Sequence, residues 1–341
     1  MRTILLAASA ALAIALPLAA EDAAPSGSGR EAQPKAEPVG QTKTPAPAPS
    51  EIVAAAPKSD WKAIEAEDLL VMTLAPDADG KPRTVVIQLM PAPFSQGWVH
   101  NIRLFARAQW YDGISVNRVQ DNYVTQWGDP NYDNPEATGE VKPLPEGLKV
   151  MGEAEYKTKI VADDLLVRTR WLDAYANWAA FIRGWPVGTE MKTVHSIDYI
   201  AWPTHCYGMV GVGRNYSPDT GSGAELYTVI GHAPRQLDRN IALVGHVIEG
   251  MQHLSSLPRG TGEVGFYTKE EAAKRTPILT VRVASDLPAS ERHAFEYLST
   301  ESTTFATYAD AVANRRDPFY IVPAGGADIC NIRVPVRRVA E

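Results

Sequence analysis

The stretch Tyr111-Asp112-Gly113-Ile114-Ser115-Val116-Asn117-Arg118-Val119-Gln120-Asp121-Asn122-Tyr123-Val124-Thr125-Gln126-Trp127-Gly128-Asp129 sets two short apolar runs between turn residues. Asp112-Gly113 is a turn dipeptide, and residues 114–119 and 123–126 read as two strands separated by a polar turn. Outward from it the same rhythm recurs. Upstream, residues 69–74 and 84–89 flank a cluster holding Asp79-Gly80 and read as a hairpin. Between hairpin and turn, residues 94–108 place Trp98, Ile102, Leu104, Phe105 and Ala108 near helical spacing behind Ser95, a candidate cap. Downstream, residues 208–212, 225–230, 242–247 and 278–283 are further short apolar runs. Many short strands with Gly, Asp and Asn turns predict an antiparallel barrel or sandwich.

Residues 129–207 break that rhythm. Their centre, 162–183, opens on Asp163-Asp164 and sets Leu165, Val167, Trp171, Leu172, Tyr175, Trp178, Ala179 and Ile182 largely on one helical side before Gly184 and Pro186. This predicts an inserted helix, with Trp171, Trp178 and Trp185 packing it onto the body. The tail predicts a second helix over 289–314 and extended chain over 318–336.

Residues 4–20 are apolar, follow Arg2, end in small residues and precede Glu21-Asp22, the layout of a cleaved signal peptide over residues 1–20. The competing reading is a membrane anchor, but the run is Ala-rich and shorter than the roughly 20 residues a spanning helix needs. Residues 21–58 are rich in Pro, Ala, Ser, Gly and Lys and predict a disordered linker. Residues 59–285 then form the main domain, interrupted at 130–206, and residues 286–341 an extension packed on it. The expected location is periplasmic or otherwise exported, with no stable membrane insertion after cleavage. Cys206 and Cys330 are the only two cysteines; in an oxidising compartment they pair as one bridge, or else they are separately buried thiols.

Composition narrows the function classes. An apolar fraction of 45% over 341 residues excludes wholesale disorder, and 33 Lys plus Arg against 40 Asp plus Glu, a net charge of -7, argue against nucleic acid as partner. None of the seven histidines sits in a metal-binding spacing, so no metal is expected. Gly211-Val212-Gly213-Arg214 lacks the third glycine of a dinucleotide loop, and Thr220-Gly221-Ser222-Gly223 lacks a hydrolase elbow. No organic cofactor is expected either.

The 111–129 stretch resembles the cyclophilin family of peptidyl-prolyl isomerases, whose pattern runs Tyr-Asp-Gly, then Phe-His-Arg-Val, then Phe-x-x-Gln-Gly-Gly-Asp. A second block follows in the family's order: residues 208–215, Gly223-Ala224-Glu225-Leu226-Tyr227-Thr228-Val229-Ile230-Gly231, Leu237-Asp238, and Val244-Gly245-His246-Val247-Ile248-Glu249-Gly250-Met251. The resemblance spans about 69–129 and 207–285. It implies a closed eight-stranded antiparallel barrel capped by two helices, here with a helical insertion and a C-terminal extension. It also implies that Arg118 is the catalytic arginine and that Gln126 holds the substrate backbone and orients that arginine. Tyr123, Val124, Tyr227 and Leu237 would line a proline pocket, with Gly213, Arg214, Glu225 and Ile241 as further peptide-binding positions. The chain departs from the pattern at Asn117 (His in the family), Trp127 (Gly), Glu225 (Gln), Tyr227 (Phe), Gln236 (Trp in many members) and Ile241 (His or Tyr). The implied function is isomerisation of X-Pro bonds in peptides or unfolded exported proteins. The alternatives are a non-catalytic proline-peptide-binding or chaperone module on the same fold, and a structural protein.

Overall fold

The computed structural model describes residues 45–132, 137, 139–160, 170–191 and 199–339. In chain order the strands are β1 (Trp61–Ile64), β2 (Leu69–Leu74), β3 (Arg83–Leu89), β4 (Ser115–Val119), β5 (Val124–Gly128), β6 (Thr158–Ile160), β7 (Arg170–Trp171), β8 (Trp178–Ile182), β9 (Trp185–Met191), β10 (Tyr199–Pro203), β11 (Met209–Val212), β12 (Leu226–Val229), β13 (Leu243–Glu249), β14 (Ile278–Val283), β15 (Phe295–Leu298) and β16 (Val336–Arg338). The helices are α1 (Pro49–Ala54), α2 (Gln96–Arg107), α3 (Gln252–Ser255) and α4 (Thr303–Ala313).

The main sheet is antiparallel, with the order β14-β2-β3-β13-β11-β12-β5-β4. The β2–β3 hairpin is where the alternating runs placed it, and Asp77 Oδ1 organises its turn by accepting from the Asp79 and Lys81 amides. The two edge strands approach each other: Ser115 bridges Pro277, and the Gly113 and Ile278 amides donate to Ile278 and Ile114 carbonyls. The sheet therefore comes round nearly to closure, which removes most of its exposed edge. Helix α2 plugs the barrel with Trp98, Val99, Ile102, Phe105 and Ala106. Each large side chain buried there contributes roughly 1.5–3 kcal/mol. Polar anchors orient the plug, since Trp98 Nε1 donates to Gly221 O and Asn101 Nδ2 to Ser222 O and Lys149 O. Ser95 stands at the α2 N-cap in the left-handed region, with no capping bond from its side chain. The second capping helix, α3, is one short turn.

The insertion departs from the expectation. Its described residues form a second antiparallel sheet, β6-β10-β9-β8-β7, so the segment expected as helix is strand over 170–171 and 178–182; residues 161–169, including Leu165 and Val167, lie outside the described residues. The signal taken for a helix stop is a hairpin turn. Ile182 pairs with Trp185, and Arg183 and Gly184 between them both have positive φ, at 51° and 88°. Helix C-caps and tight hairpins ask the same conformation of a glycine, so the residue alone does not tell them apart.

The tail also differs. Residues 295–298 are not helical but form β15, the centre of a third sheet ordered β1-β15-β16, and the helix is confined to α4, whose N-cap Ser302 Oγ accepts from the Phe305 amide. Residues 318–336 are not wholly extended, for a 3-10 turn at Ile329–Asn331 is capped by Asp328. Described structure extends upstream of Trp61: α1 lies within the stretch expected as linker, and Val53 and Ala56 pack on the cluster of Trp61, Phe181, Phe305 and Ala309. β1 thus belongs to the tail's sheet, not to the barrel. The predicted signal peptide and the first part of the linker lie outside the described residues. Cys206 and Cys330 are joined by a disulfide that spans 124 positions and ties the tail to the end of the insertion.

Candidate active site: a groove on the outer face of the barrel

One rung of the main sheet carries the site. Arg118 on β4 pairs with Gln126 on β5, Gln126 with Tyr227 on β12, and Tyr227 with Gly211 on β11. Residues directly opposite on adjacent strands share a face. The register shifts between Val116 and Arg118, so Asn117 is an extra residue in β4, a β-bulge. That extra residue lets Val116 and Val119 both enter the core while Arg118 turns to the opposite face. Asn117 itself is buried, donating to Gly128 O at 3.1 Å and accepting from Ser115 Oγ at 2.7 Å.

The groove that results has a volume of about 540 Å³, and it gathers every site residue expected from the sequence: Arg118, Gln126, Tyr123, Val124, Gly213, Arg214, Glu225, Tyr227, Leu237 and Ile241. Its apolar floor is a distinct cluster of Val124, Tyr227 and Val229, with Tyr123 and Ile241 against them. Gly213 sits at the rim, its amide donating to Glu225 O, while the half-buried Arg214 is held by the Asn240 and Asn215 carbonyls. Gln236 is exposed within the 3-10 turn Arg235–Leu237 that presents Leu237.

Arg118 is held on several sides. Its Nε donates to Val264 O at 2.7 Å, its Nη1 to Gln126 Oε1 at 3.0 Å and its Nη2 to Gln120 Oε1. Gln126 Nε2 in turn donates to Glu225 Oε2 at 3.3 Å. The guanidinium lies 5.7 Å from the Tyr123 ring centre and 5.6 Å from that of Phe266, so two aromatic faces flank the charge. Burial lowers the Arg118 pKa from its ordinary value, with Tyr123, Glu225 and Tyr227 pulling the other way. A guanidinium has so much reserve that it stays charged. Three of its five N–H groups are engaged by described residues, which leaves one on each Nη for a ligand.

Sequence reasoning missed the loop carrying Glu263, Val264 and Phe266, which lines the groove and supplies the Arg118 Nε acceptor. This loop has no periodicity to read, and a carbonyl acceptor leaves no trace in residue identity. It also missed His205 and Asp238, which lie behind Tyr227: His205 Nε2 is 2.9 Å from Tyr227 Oη, and His205 Nδ1 is 2.9 Å from Asp238 Oδ1. Burial pushes the Tyr227 phenol well above its ordinary value, so it keeps its proton. Among the described residues no group of three or more His, Cys, Asp or Glu side chains is arranged to hold a metal ion.

No curated protein matches the chain. Among solved structures, a cyclophilin from Hirschia baltica superposes with a TM-score of 0.58 at 17% identity, covering 82% of this chain and 93% of that one. A cyclophilin-type peptidyl-prolyl isomerase from Cryptosporidium parvum reaches 0.35 at 9% identity, over 63% of this chain and 96% of its own. The first shows a shared fold. The family model described as cyclophilin type peptidyl-prolyl cis-trans isomerase/CLD matches residues 84–283, more than half of the chain and the whole span that carries the groove. An eight-stranded barrel with this groove, matched over that length, places the chain in the cyclophilin-type peptidyl-prolyl cis-trans isomerase family.

Proposed function

We propose that the protein isomerises X-Pro bonds in peptides or unfolded exported proteins, with Arg118 acting on the twisted amide. Rotation about an X-Pro amide faces a barrier of roughly 18–20 kcal/mol because the nitrogen lone pair is delocalised into the carbonyl. Twisting localises that lone pair and makes the proline nitrogen an acceptor. A donor aimed at it therefore stabilises the transition state and gains little from the planar ground state. The two unengaged N–H groups of Arg118 suit this, one for the carbonyl and one for the nitrogen.

One charge-assisted hydrogen bond is worth roughly 1.5–3 kcal/mol, or about tenfold to a hundredfold in rate. The remainder comes from gripping the pyrrolidine ring against Tyr123, Val124, Tyr227 and Leu237 while the bond's other side turns, with water excluded from the hydrogen bond. Gln126 carries no proton in this scheme; it holds Arg118 Nη1 and presents its amide to the peptide backbone. The observation that carries the reading is the meeting of Arg118 and Gln126 with that apolar floor in one open groove.

The location is part of the proposal. The apolar 4–20 stretch supports export, and a disulfide between Cys206 and Cys330 suits an oxidising compartment. Among the described residues no helix is long and apolar enough to cross a membrane.

The test is isomerisation of a short X-Pro peptide by the folded chain. Arg118→Ala is expected to lower kcat/KM by about tenfold to a hundredfold, the worth of one charge-assisted bond, while leaving the fold intact. Unchanged turnover would remove the arginine from the mechanism. A second reading, a peptide-binding or chaperone module, draws on the number of Arg118 donors already used within the protein. It predicts peptide binding without turnover and aggregation suppression that survives Arg118→Ala.

A further inference from the structure

Behind the pocket wall runs a buried polar relay that ends in the insertion. Tyr227 Oη meets His205 Nε2 at 2.9 Å, and Asp238 Oδ1 accepts from both the His205 amide and His205 Nδ1, each at 2.9 Å. Asp238 Oδ2 accepts from Arg235 Nε at 2.6 Å. Arg235 Nη1 and Nη2 grip Asp173 in a fork at 2.8 and 2.9 Å, and the guanidinium lies 5.0 Å from the Tyr175 ring centre. Asp173 and Tyr175 belong to the connection between β7 and β8, and His205 follows β10, so the relay starts on barrel strand β12 at Tyr227 and takes both His205 and its far end, Asp173, from the insertion. The side chains of His205, Asp238, Arg235 and Asp173 are each no more than 2% exposed.

Burying such groups brings a desolvation penalty that well-packed apolar residues would avoid. Support for the fold alone does not call for it, yet here the chain of bonds terminates on the hydroxyl of Tyr227, a wall residue of the pocket. A carboxylate only accepts, so His205 Nδ1 donates to Asp238, which fixes the ring with Nε2 facing the Tyr227 hydroxyl. Tyr227 also lies flat on β11, where a Cβ on Gly211 would stand 2.3 Å from its Oη. The ring is thus pinned at its tip by His205 and along its length by a glycine that leaves room for it.

We propose that His205 and Asp238 are positioning residues for the proline pocket, fixing the Tyr227 ring, and that the insertion sets the pocket wall through Asp173 and Arg235. This rests on the reading of the groove as an X-Pro site. An immobilised aromatic wall loses little freedom on binding, so its contribution is to affinity for the ring in ground and transition state alike.

The experiment measures kcat, KM and the equilibrium Kd of a short X-Pro peptide for the full chain and for His205→Leu, Tyr227→Phe, Asp173→Asn and the double variant His205→Leu with Tyr227→Phe. Loss of one hydrogen-bond tether is expected to raise Kd and KM by roughly three- to tenfold in His205→Leu with kcat nearly unchanged. In the Tyr227→Phe background the same change should add less than about twofold, because no hydroxyl remains to be held. Asp173→Asn, which weakens the Arg235 fork from the far end, should shift KM in the same direction. A folded His205→Leu with unaltered Kd, or effects that simply add in the double variant, would overturn the positioning role. If His205→Leu does not fold, Tyr227→Phe decides alone: an unaltered Kd there removes the tether from pocket function. A wild-type chain that binds the peptide without turning it over ends the isomerase reading but still tests the relay through Kd. One that does neither ends both.

Discussion

At the scale of single residues, the site is built by local devices more than by unusual residue types. A single extra residue at Asn117 turns Arg118 out of the core while its neighbours on β4 stay in, and the buried amide of Asn117 stabilises the bulge by bonding Gly128 and Ser115. Gly211 is the counterpart under Tyr227. Gly211→Ala would bring a methyl to 2.3 Å from the ring's Cζ and Oη, and overpacking of this kind typically costs about 1–3 kcal/mol. It should lower the urea midpoint and raise KM together, since the ring must move into the groove. His246 gives a pH prediction. Burial and the Arg333 guanidinium push its imidazole down to about 4, against an ordinary value near 6.5. The unfolded chain therefore binds a proton that the folded chain refuses once the pH falls below about 6.5, and stability falls with pH through that window. Urea melts at pH 7 and pH 4.5 should differ by about 2 kcal/mol from this group, and His246→Gln should flatten that difference.

At the scale of elements, the β8–β9 hairpin shows why the insertion reads as a helix in one dimension and is a sheet in three. Trp171, Trp178 and Trp185 are spaced for a helical stripe, but on strands they find separate partners: Trp171 meets Phe181, Trp178 meets Tyr199, and Trp185 sits 2% exposed in the core. The Arg183-Gly184 turn holds the pair together. Gly184→Ala would place a Cβ 2.8 Å from the Tyr297 ring in a backbone conformation that side chains resist, with φ at 88°. A loss of about 1–2 kcal/mol is expected in thermal or urea unfolding. Helix α2, by contrast, is legible from its sequence because its apolar stripe, Trp98, Ile102 and Phe105, has one surface to meet and that surface is local in the fold.

For the whole molecule, long-range ties join the three sheets of the described residues. β1 pairs with β15, and Cys206 with Cys330, so the tail closes over segments far from it in sequence. In the loop-entropy picture, a crosslink spanning 124 positions stabilises by about 2–5 kcal/mol. Cys330→Ser should lower stability by that order in urea melts, and reductant should do the same to the wild type but not to the variant. Because Cys206 adjoins His205, the same variant should also raise KM if the tail steadies the pocket wall.

The residues that make the barrel and its groove were legible in the amino-acid sequence because they sit on short strands whose alternation and turn residues are local signals. Arg118, Val124, Gln126 and Tyr227 occupy the strands 115–119, 124–128 and 226–229, and a resemblance in two ordered blocks brings such positions together. The Val264 carbonyl, the His205–Asp238–Arg235–Asp173 relay, the sheet form of the insertion and the pairing of β1 with the tail were decided only by the tertiary structure. Their physical basis is non-local: a carbonyl acceptor has no residue signature, a buried ion pair is a matter of which distant segments exclude water around it, and an aromatic-rich stretch becomes strand or helix according to the partner surface it finds.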